Sequence, residues 1–381
     1  MNLLFLLLFG SILFFSFGLY LNPKNVTGGS LIQKESKMII FPVLFILFFI
    51  YIIISAFQYI DLSPTAKWIN SNNNDLSRYK MGFDSFGKIS LKEALFTSGS
   101  EPLYTLTIFV LRKITSHFSL VLLIFYSFIF SVIYRYLKVL AEESLVFYIS
   151  FFVLVYTEFI ISYCLLRMGL AVALVMLAYV QLMKDKYRFA IFYVVLACGF
   201  HISAAFAFIV IVLYKFSENH TLKILMFFMV STLAMAFLFS RFLSVIINAI
   251  FPSKFVYLEG GIAKSTYLTN FLFLLFLLSH SKVFYADKKA RLIFCILLSS
   301  FYILPLQIVV SIFYRMIFYT YPGIAYICCL IWKTYRSKKH FFVNISVRSF
   351  IVFYLFFFLY KFVTTAWFSY GLDRFKLFYI N

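Results

Sequence analysis

The chain has 381 residues and a formal net charge of +20, with 64% hydrophobic and 13% charged residues. Soluble domains average about 25% charged residues, so this composition excludes an ordinary soluble protein and indicates a membrane protein. The basic residues lie in short loops beside apolar runs, which argues against nucleic acid and favours membrane lipid headgroups as their partners.

A helix that crosses a bilayer needs about 20 apolar residues. Runs of this kind recur along the chain, at 2–20, 38–58, 118–137, 144–163, 165–183, 221–240, 266–283, 290–311, 316–333 and 346–368. Shorter apolar pieces cover 101–114, 189–200 and 202–214. We therefore predict an all-α fold, a polytopic transmembrane helical bundle of about 10–12 spans with re-entrant or broken helices. The whole chain, 1–381, is expected to form a single transmembrane domain.

The distribution of Lys and Arg predicts which loops face the cytoplasm. The loops 24–37, 184–188, 282–291 and 333–348 are the richest in basic residues, and cytoplasmic loops carry this excess. The loop 59–100 has nearly balanced charge and is predicted to be periplasmic. The N-terminus is then external, and the protein is predicted to cross the membrane several times.

Two short apolar pieces fit this topology only if they do not cross the membrane. If 189–214 were one span, the later basic loops would change sides, whereas two half-helices that meet at His201 keep them inside. For the same reason 101–114 is interpreted as a re-entrant segment. Irregular backbone at membrane depth is tolerated only where protein or a wet cavity surrounds it. Both breaks therefore predict a cavity that opens outward.

Ionisable residues inside apolar runs are costly to insert, and we treat them as candidate functional residues. The clearest cases are Glu158, Arg167, His201 and Arg315. The predicted topology places Arg167 and Arg315 at outer turns and His201 in the outer half. Two Arg residues suit a diphosphate because the guanidinium binds oxygens in pairs and keeps its charge.

Further candidates lie in and beside the external loop. Asp75, Arg78 and Tyr79 form one group, and Glu101 opens the re-entrant segment. Arg78 is a further candidate for binding the diphosphate, and Tyr79 is a structural or catalytic candidate. A carboxylate beside a phosphate clamp can serve as general base toward a sugar hydroxyl. Glu101 is the favoured base, with His201 contacting phosphate or positioning the acceptor, and Asp75 remains a third catalytic candidate.

Each candidate also has a structural alternative. Arg167 and Arg315 can be interfacial side chains that reach for the headgroups. Glu158 can hold two helices together through hydrogen bonds, and a lone His such as His201 is often structural. The Asp75–Arg78 pair can be an exposed ion pair of small energetic effect.

The sequence lacks the usual nucleotide and metal motifs. It has no Gly-rich phosphate loop with a following Lys and no Asp-x-Asp pair. The five cysteines fall inside apolar runs without metal-ligand spacing. We therefore expect no metal and no cofactor, and we expect a donor carried on a lipid.

Five short motifs follow one another along the chain: Asp75-Leu-Ser-Arg78-Tyr79, Glu101-Pro-Leu-Tyr104, Leu166-Arg167-Met-Gly169-Leu-Ala171, Gly199-Phe200-His201-Ile-Ser203-Ala204 and Tyr314-Arg315. Their order, between about residues 40 and 333, resembles the EpsG family of bacterial polysaccharide polymerases, which is related to the Wzy-type O-antigen and capsule polymerases.

The resemblance implies a metal-independent glycosyltransferase, a multi-pass protein of the bacterial inner membrane whose active site faces the periplasm. It would join undecaprenyl-diphosphate-linked oligosaccharide repeat units into O-antigen or capsular polysaccharide. The expected partners are these lipid-linked oligosaccharides, membrane lipid and a chain-length regulator protein.

Two other functions remain open. An O-antigen ligase-like transferase shares the donor but uses a different acceptor. A flippase or transporter of lipid-linked oligosaccharides predicts internal repeats and polar residues along the whole path. The candidate residues here lie on one predicted side of the membrane, which favours a one-sided active site.

Overall fold

The computed structural model describes residues 75–140, 162–218, 288–309, 318–334 and 341–361, with single residues and short stretches at 49–60, 245, 272–279, 315–316 and 363–364. The elements in these ranges are helical, which confirms the all-α prediction. Within this part of the chain, one helix, Phe118–Leu140, is long and apolar enough to cross a membrane.

The helices are labelled here in chain order. They are α1 Leu76–Ser85, α2 Leu91–Thr97, α3 Pro102–Ile114, α4 Phe118–Leu140, α5 Leu166–Leu182, α6 Tyr187–Phe200, a 3₁₀ helix Ile202–Phe206, α7 Ala207–Phe216, α8 Lys288–Val309, α9 Tyr321–Thr334 and α10 Phe341–Lys361. The predicted spans at 2–20 and 221–240, and most of those at 144–163 and 266–283, lie outside the described residues.

The chain divides into two compact units. One comprises Met1–Ala173, Gly199–His201 and Phe357–Asn381, and the other comprises Leu174–Cys198 and Ile202–Phe356. The single transmembrane domain over 1–381 stays a prediction, as does the periplasmic location of loop 59–100.

In the first unit, the predicted loop 59–100 contains the two short helices α1 and α2. Helix α2 begins with a capping box, in which Ser90 accepts a hydrogen bond from the Glu93 backbone N–H while the Glu93 carboxylate accepts from the Ser90 N–H. Helix α3 begins at Pro102, whose missing N–H costs nothing at the first helical position. The predicted re-entrant piece 101–114 is thus a separate short helix.

Helix α4 buries one face along its length, including Leu122, Tyr126, Ile129 and Ile133. Leu120 and Ile124 on its other face are exposed. An apolar helix with an exposed apolar face suits a lipid environment, where hydrocarbon and not water contacts that face.

In the second unit, α6 and α7 form a helical hairpin. The Tyr187 hydroxyl at the start of α6 donates to Glu218 just beyond α7 at 2.6 Å. The Tyr187 ring lies 6.1 Å from the Tyr214 ring on α7. The two helices therefore return to the same end, and the predicted break at His201 is present. A helix of α6's 14 residues is about 21 Å long, which is shorter than the hydrocarbon core of about 30 Å.

Helices α7, α8 and α9 complete the second unit. Gly323 on α9 permits a close approach to α8, because a Cβ at this position would lie 3.2 Å from Ile296 Cγ2. The Tyr179 hydroxyl on α5 donates to the Tyr319 carbonyl at 3.1 Å. This fixes the segment before α9 against the part of α5 that belongs to the same unit.

Candidate functional site

A polar pocket of about 340 Å³ lies within the first unit. Its walls come from α1, from the segment between α2 and α3, from α3 itself, and from the first turn of α5. The residues that line it are Asp75, Arg78, Tyr79, Gly82, Phe83, Ser85, Phe86, Thr97, Ser98, Gly99, Ser100, Tyr104, Ile108 and Arg167. Four of the predicted site residues therefore meet around one space.

The Arg167 side chain is held on several sides. Its Nη1 donates to Glu101 Oε2 at 2.6 Å, and its Nε donates to the Tyr79 hydroxyl at 3.4 Å. The guanidinium also lies over the rings of Tyr79 and Tyr104, at 5.5 and 5.7 Å from their centroids. The side chain is 21% exposed, so the cation is oriented by neighbours and still reaches the pocket. A side chain that only reaches for lipid headgroups at the membrane interface does not need so many neighbours to hold it. These contacts therefore favour the functional interpretation of Arg167.

Glu101 holds Arg167 from outside the pocket lining. It precedes Pro102 in extended conformation, with φ −62° and ψ 142°, at the N-cap of α3. Its side chain is 16% exposed and forms the short ion pair with Arg167. Charge-assisted hydrogen bonds of this length are the stronger class in proteins. Glu101 is thereby suited to positioning the guanidinium.

Asp75 is the carboxylate that lines the pocket. Its backbone N–H donates to the Cys164 carbonyl at 3.1 Å, which ties the start of α1 to the segment before α5. The Tyr79 hydroxyl donates to Asp75 Oδ2 at 3.4 Å. Since the same hydroxyl accepts from Arg167, Tyr79 connects the guanidinium to the pocket carboxylate.

Arg78 supplies the second cation of the pocket. Its Nη1 lies 3.5 Å from Asp75 Oδ1, and the Arg78 side chain is 75% exposed, against 17% for Asp75. An exposed ion pair contributes little stability. Arg78 is therefore available to turn toward an anionic ligand, with Asp75 left in place by its contacts to Tyr79 and to the Cys164 carbonyl.

The segment Thr97–Ser100 forms another wall of the pocket. Gly99 has φ +59°, a left-handed conformation that favours glycine. The Ser98 hydroxyl bonds the Thr105 hydroxyl at 2.9 Å and accepts from the Ser100 N–H at 3.3 Å. This wall presents hydroxyl and backbone groups, the kind of surface that hydrogen-bonds a sugar.

His201 lies between α6 and the 3₁₀ helix, in the stretch Gly199–His201 that belongs to the first unit. Gly199 sits against the first turn of α3, where an added Cβ would lie 2.7 Å from Leu103 Cβ. Leu103 follows Glu101 by two residues, so the predicted half-helix junction begins beside the end of α3 that carries Glu101.

Arg315 belongs to the second unit, and is half-buried in a short 3₁₀ stretch before α9. Tyr319, in the same segment, bonds the Ser203 hydroxyl at 3.0 Å. Glu158, the remaining candidate, lies outside the described residues. The phosphate-binding role of Arg315 stays a prediction.

Sequence reasoning did not assign a role to Tyr104 or to the Thr97–Ser100 wall. Tyr104 is 4% exposed, and its ring packs against Tyr79 at 5.5 Å between centroids. The sequence contained one indication that Tyr104 belongs to the site. Glu101 and Tyr104 are three residues apart, and this spacing places them on one side of the start of a helix. For the Thr97–Ser100 wall, the sequence offered only Ser98-Gly99-Ser100, which indicates a turn but not a binding site.

Comparison with known proteins gives a family. A search of curated proteins and a search of solved structures each found no match. The model of the EpsG family matches residues 65–372, a range that contains α1 through α10 and every pocket residue. This range is most of the chain, and it confirms the resemblance that the sequence motifs indicated. The chain therefore belongs to the EpsG family, a family of membrane polymerase-like proteins.

Proposed function

We propose that this protein is a membrane glycosyltransferase that polymerises oligosaccharide repeat units carried on undecaprenyl diphosphate, with its active site on the periplasmic face of the inner membrane. The observation that supports this proposal most is that one pocket is lined by two cations and a carboxylate. Arg167 is held in place by Glu101, Arg78 is more exposed, and Asp75 supplies the carboxylate. Two cations and one carboxylate suit a reaction in which a diphosphate leaves and a hydroxyl attacks.

The two Arg residues bind the leaving group. Arg167 is held in place before a ligand arrives, so it loses little freedom on binding, and such preorganised charge stabilises charge that develops during reaction. Arg78 supplies a second cation, and its exposed side chain turns toward the diphosphate. The pocket's volume of about 340 Å³ lies at the small end of ligand sites, which suits a diphosphate with one adjoining sugar.

Asp75 is the general base in this proposal. The acceptor hydroxyl attacks the anomeric carbon of the donor, its proton passes to Asp75, and the bond from that carbon to the diphosphate oxygen breaks. The electron pair of that bond leaves with the lipid diphosphate, whose negative charge Arg78 and Arg167 offset. The sequence favoured Glu101 as base, but Asp75 lines the pocket while Glu101 binds Arg167.

We base the proposed direction of the pocket on the distribution of charge. In the second unit, Asp185 in the loop 184–188 forms an ion pair with Lys288 at the start of α8. Two loops that were predicted to be cytoplasmic therefore meet, which supports their location on the same side of the membrane. Loop 59–100, which supplies α1 and the Thr97–Ser100 wall, then faces the periplasm. A chain-length regulator remains a predicted partner.

Glycan length in cells tests the function. Cells that lack the protein are expected to carry single repeat units on their surface glycan, and the wild-type protein restores long chains. Loss of all surface-linked glycan would instead indicate a ligase or a flippase. The purified protein should lengthen a lipid-linked repeat unit in detergent without another protein, which a flippase cannot do.

A further inference from the structure

The predicted cytoplasmic end of the second unit carries basic side chains that the acidic residues nearby do not neutralise. Asp185 pairs with Lys288. Glu218 accepts from Lys215 and from the Tyr187 hydroxyl, both at 2.6 Å. Hydrogen bonds from these two groups lower the pKa of Glu218, so it remains an anion that is already engaged.

Three exposed basic residues remain beside these pairs: Lys184, Lys186 and Arg188. Within the described ranges, none of the three has an acidic partner. They lie in the turn between α5 and α6 and in the first turn of α6. This leaves three cations gathered at one helix end.

Helix α6 continues from these charges into an exposed apolar face. Ile191, Phe192 and Val195 are 44%, 54% and 55% exposed. They follow Arg188 by three, four and seven residues, which places all four on one side of a helix. The opposite side, Ala190, Val194 and Ala197, is buried. The face is therefore cationic at its end and apolar along its length.

We propose that this face binds an anionic phospholipid of the cytoplasmic leaflet. The phosphate of the headgroup contacts Lys184, Lys186 and Arg188, and an acyl chain lies along Ile191, Phe192 and Val195. From Arg188 to Val195 the helix rises about 10 Å, which fits within one leaflet of about 15 Å of hydrocarbon. Clusters of Lys and Arg beside membrane helices attract anionic lipids in this way.

The site is separate from the proposed active site, and it rests on the membrane association of the family and on the predicted cytoplasmic location of loop 184–188. The described residues of loop 59–100 form a natural contrast, because Arg78, Lys80, Lys88 and Lys92 there are nearly balanced by Asp75, Asp84 and Glu93. Anionic lipid is therefore expected to bind at the cytoplasmic end and not at this loop.

Lipid titration of the purified full-length protein in detergent tests the site, with native mass spectrometry as the readout. Phosphatidylglycerol and phosphatidylcholine with identical acyl chains are compared. The triple variant K184Q/K186Q/R188Q is expected to bind phosphatidylglycerol more weakly by a factor on the order of one hundred, since each cation near the headgroup contributes to the affinity. The control K88Q/K92Q/K113Q removes the same charge from exposed positions in the first unit and should bind as the wild type does.

Two further measurements distinguish the contribution of the headgroup to binding from that of the acyl chain. Phe192→Ser with Val195→Ser is expected to weaken both lipids equally, because it removes the apolar contact alone. Inorganic phosphate is expected not to displace the bound lipid. Equal binding of phosphatidylglycerol by the triple variant and the wild type would overturn the proposal, and so would displacement by inorganic phosphate. If the triple variant does not fold, Arg188→Gln against Lys113→Gln gives the same comparison with one charge.

Discussion

Arg167 is the residue on which the proposed site depends most. Its partners come from α1 and from the start of α3, so one cation joins elements that are distant along the chain. Lys in its place would carry the charge on a single ammonium and would lose the planar contact with Tyr79 and Tyr104. The proposed role of Arg167 therefore depends on the geometry of the guanidinium as well as on its charge.

Arg167→Ala and Arg167→Lys are both expected to abolish long glycan chains, with turnover of the purified protein reduced on the order of 10²-fold or more, as for other groups that stabilise developing charge. Lys80→Gln is the control, because Lys80 forms an exposed pair with Asp84 at 3.3 Å and does not line the pocket. Protein level is measured in the same membranes. Normal chain length in Arg167→Lys would mean that the fork geometry of the guanidinium has no role.

Asp75 and Glu101 are expected to differ in kinetics. Asp75→Asn removes the proposed base and should lower kcat while the donor still binds. Glu101→Gln removes the partner of Arg167 and should mainly raise the KM for the lipid-linked donor, because the cation is no longer held in place. Initial rates over a range of donor concentrations separate the two. The reverse pattern would return the role of base to Glu101.

At the scale of single elements, the short helices near the pocket are held by local features. The Ser90–Glu93 capping box starts α2, and the Thr97–Ser100 wall follows directly from the end of that helix. Glu93 is kept anionic by the Ser90 hydrogen bonds, which lower its pKa. A substitution that disrupts the capping box is therefore expected to increase the mobility of the Thr97–Ser100 wall.

Ser90→Ala is expected to destabilise α2 by about 1 kcal/mol. Hydrogen exchange of the segment 91–100 should become faster, while exchange in α1 stays unchanged. The same segment of the wild type should lose protection in acid. The folded pKa of Glu93 lies below its unfolded value, so its stabilising effect is present above the unfolded pKa of about 4.3 and is lost as the pH falls through the folded pKa. Protection that does not change with either treatment would show that α2 does not depend on its cap.

The contact of Gly199 with Leu103 joins the end of α6 to the start of α3. Gly199→Ala would place a Cβ 2.7 Å from Leu103 Cβ, a clash with an atom that cannot rotate away, and overpacking of this kind costs about 1–3 kcal/mol. Gly82→Ala on α1 is the matched control, because nothing lies within 4 Å of its added Cβ. Thermal unfolding in detergent is expected to show a lower Tm for Gly199→Ala alone. A Tm at or above that of the wild type would mean that the two helices are not tightly joined there.

The sequence predicted the long elements better than the short ones. The apolar runs 118–137 and 165–183 correspond to Phe118–Leu140 and Leu166–Leu182, because long apolar runs bounded by polar residues leave little choice of helix. Helices α1 and α2 were treated as loop, since they lack such a run and depend on a cap and on packing against α3.

The candidate site was predicted in part. The sequence indicated Asp75, Arg78, Tyr79 and Arg167 individually, and the structure places all four around the pocket. The ion pair between Glu101 and Arg167 spans 66 positions of the chain, and such a pairing depends on how the helices pack. The sequence favoured Glu101 as the base and contained no sign of its ion pair with Arg167, and the catalytic role of Glu101 stays a prediction.

At the scale of the whole molecule, the predicted topology depends on the helical hairpin of α6 and α7. A single span over 189–214 would reverse the sides of α8, α9 and α10. The contacts of Tyr187 with Glu218 and with Tyr214 bring the two ends of the hairpin together. The later basic loops can then stay on the side of Lys184 and Lys186.

Cysteine labelling in intact cells tests this topology. Lys92→Cys and Lys186→Cys replace exposed residues in the predicted periplasmic and cytoplasmic loops, in a background with the half-buried Cys198 changed to Ser. An impermeant maleimide is expected to label position 92 in intact cells and position 186 only after the membrane is opened, because the basic excess holds its loop inside. Ser337→Cys in the loop 333–348 should behave like position 186. If α6 and α7 crossed as one span, positions 186 and 337 would label on opposite sides, so the agreement of these two positions tests the hairpin and the charge rule together.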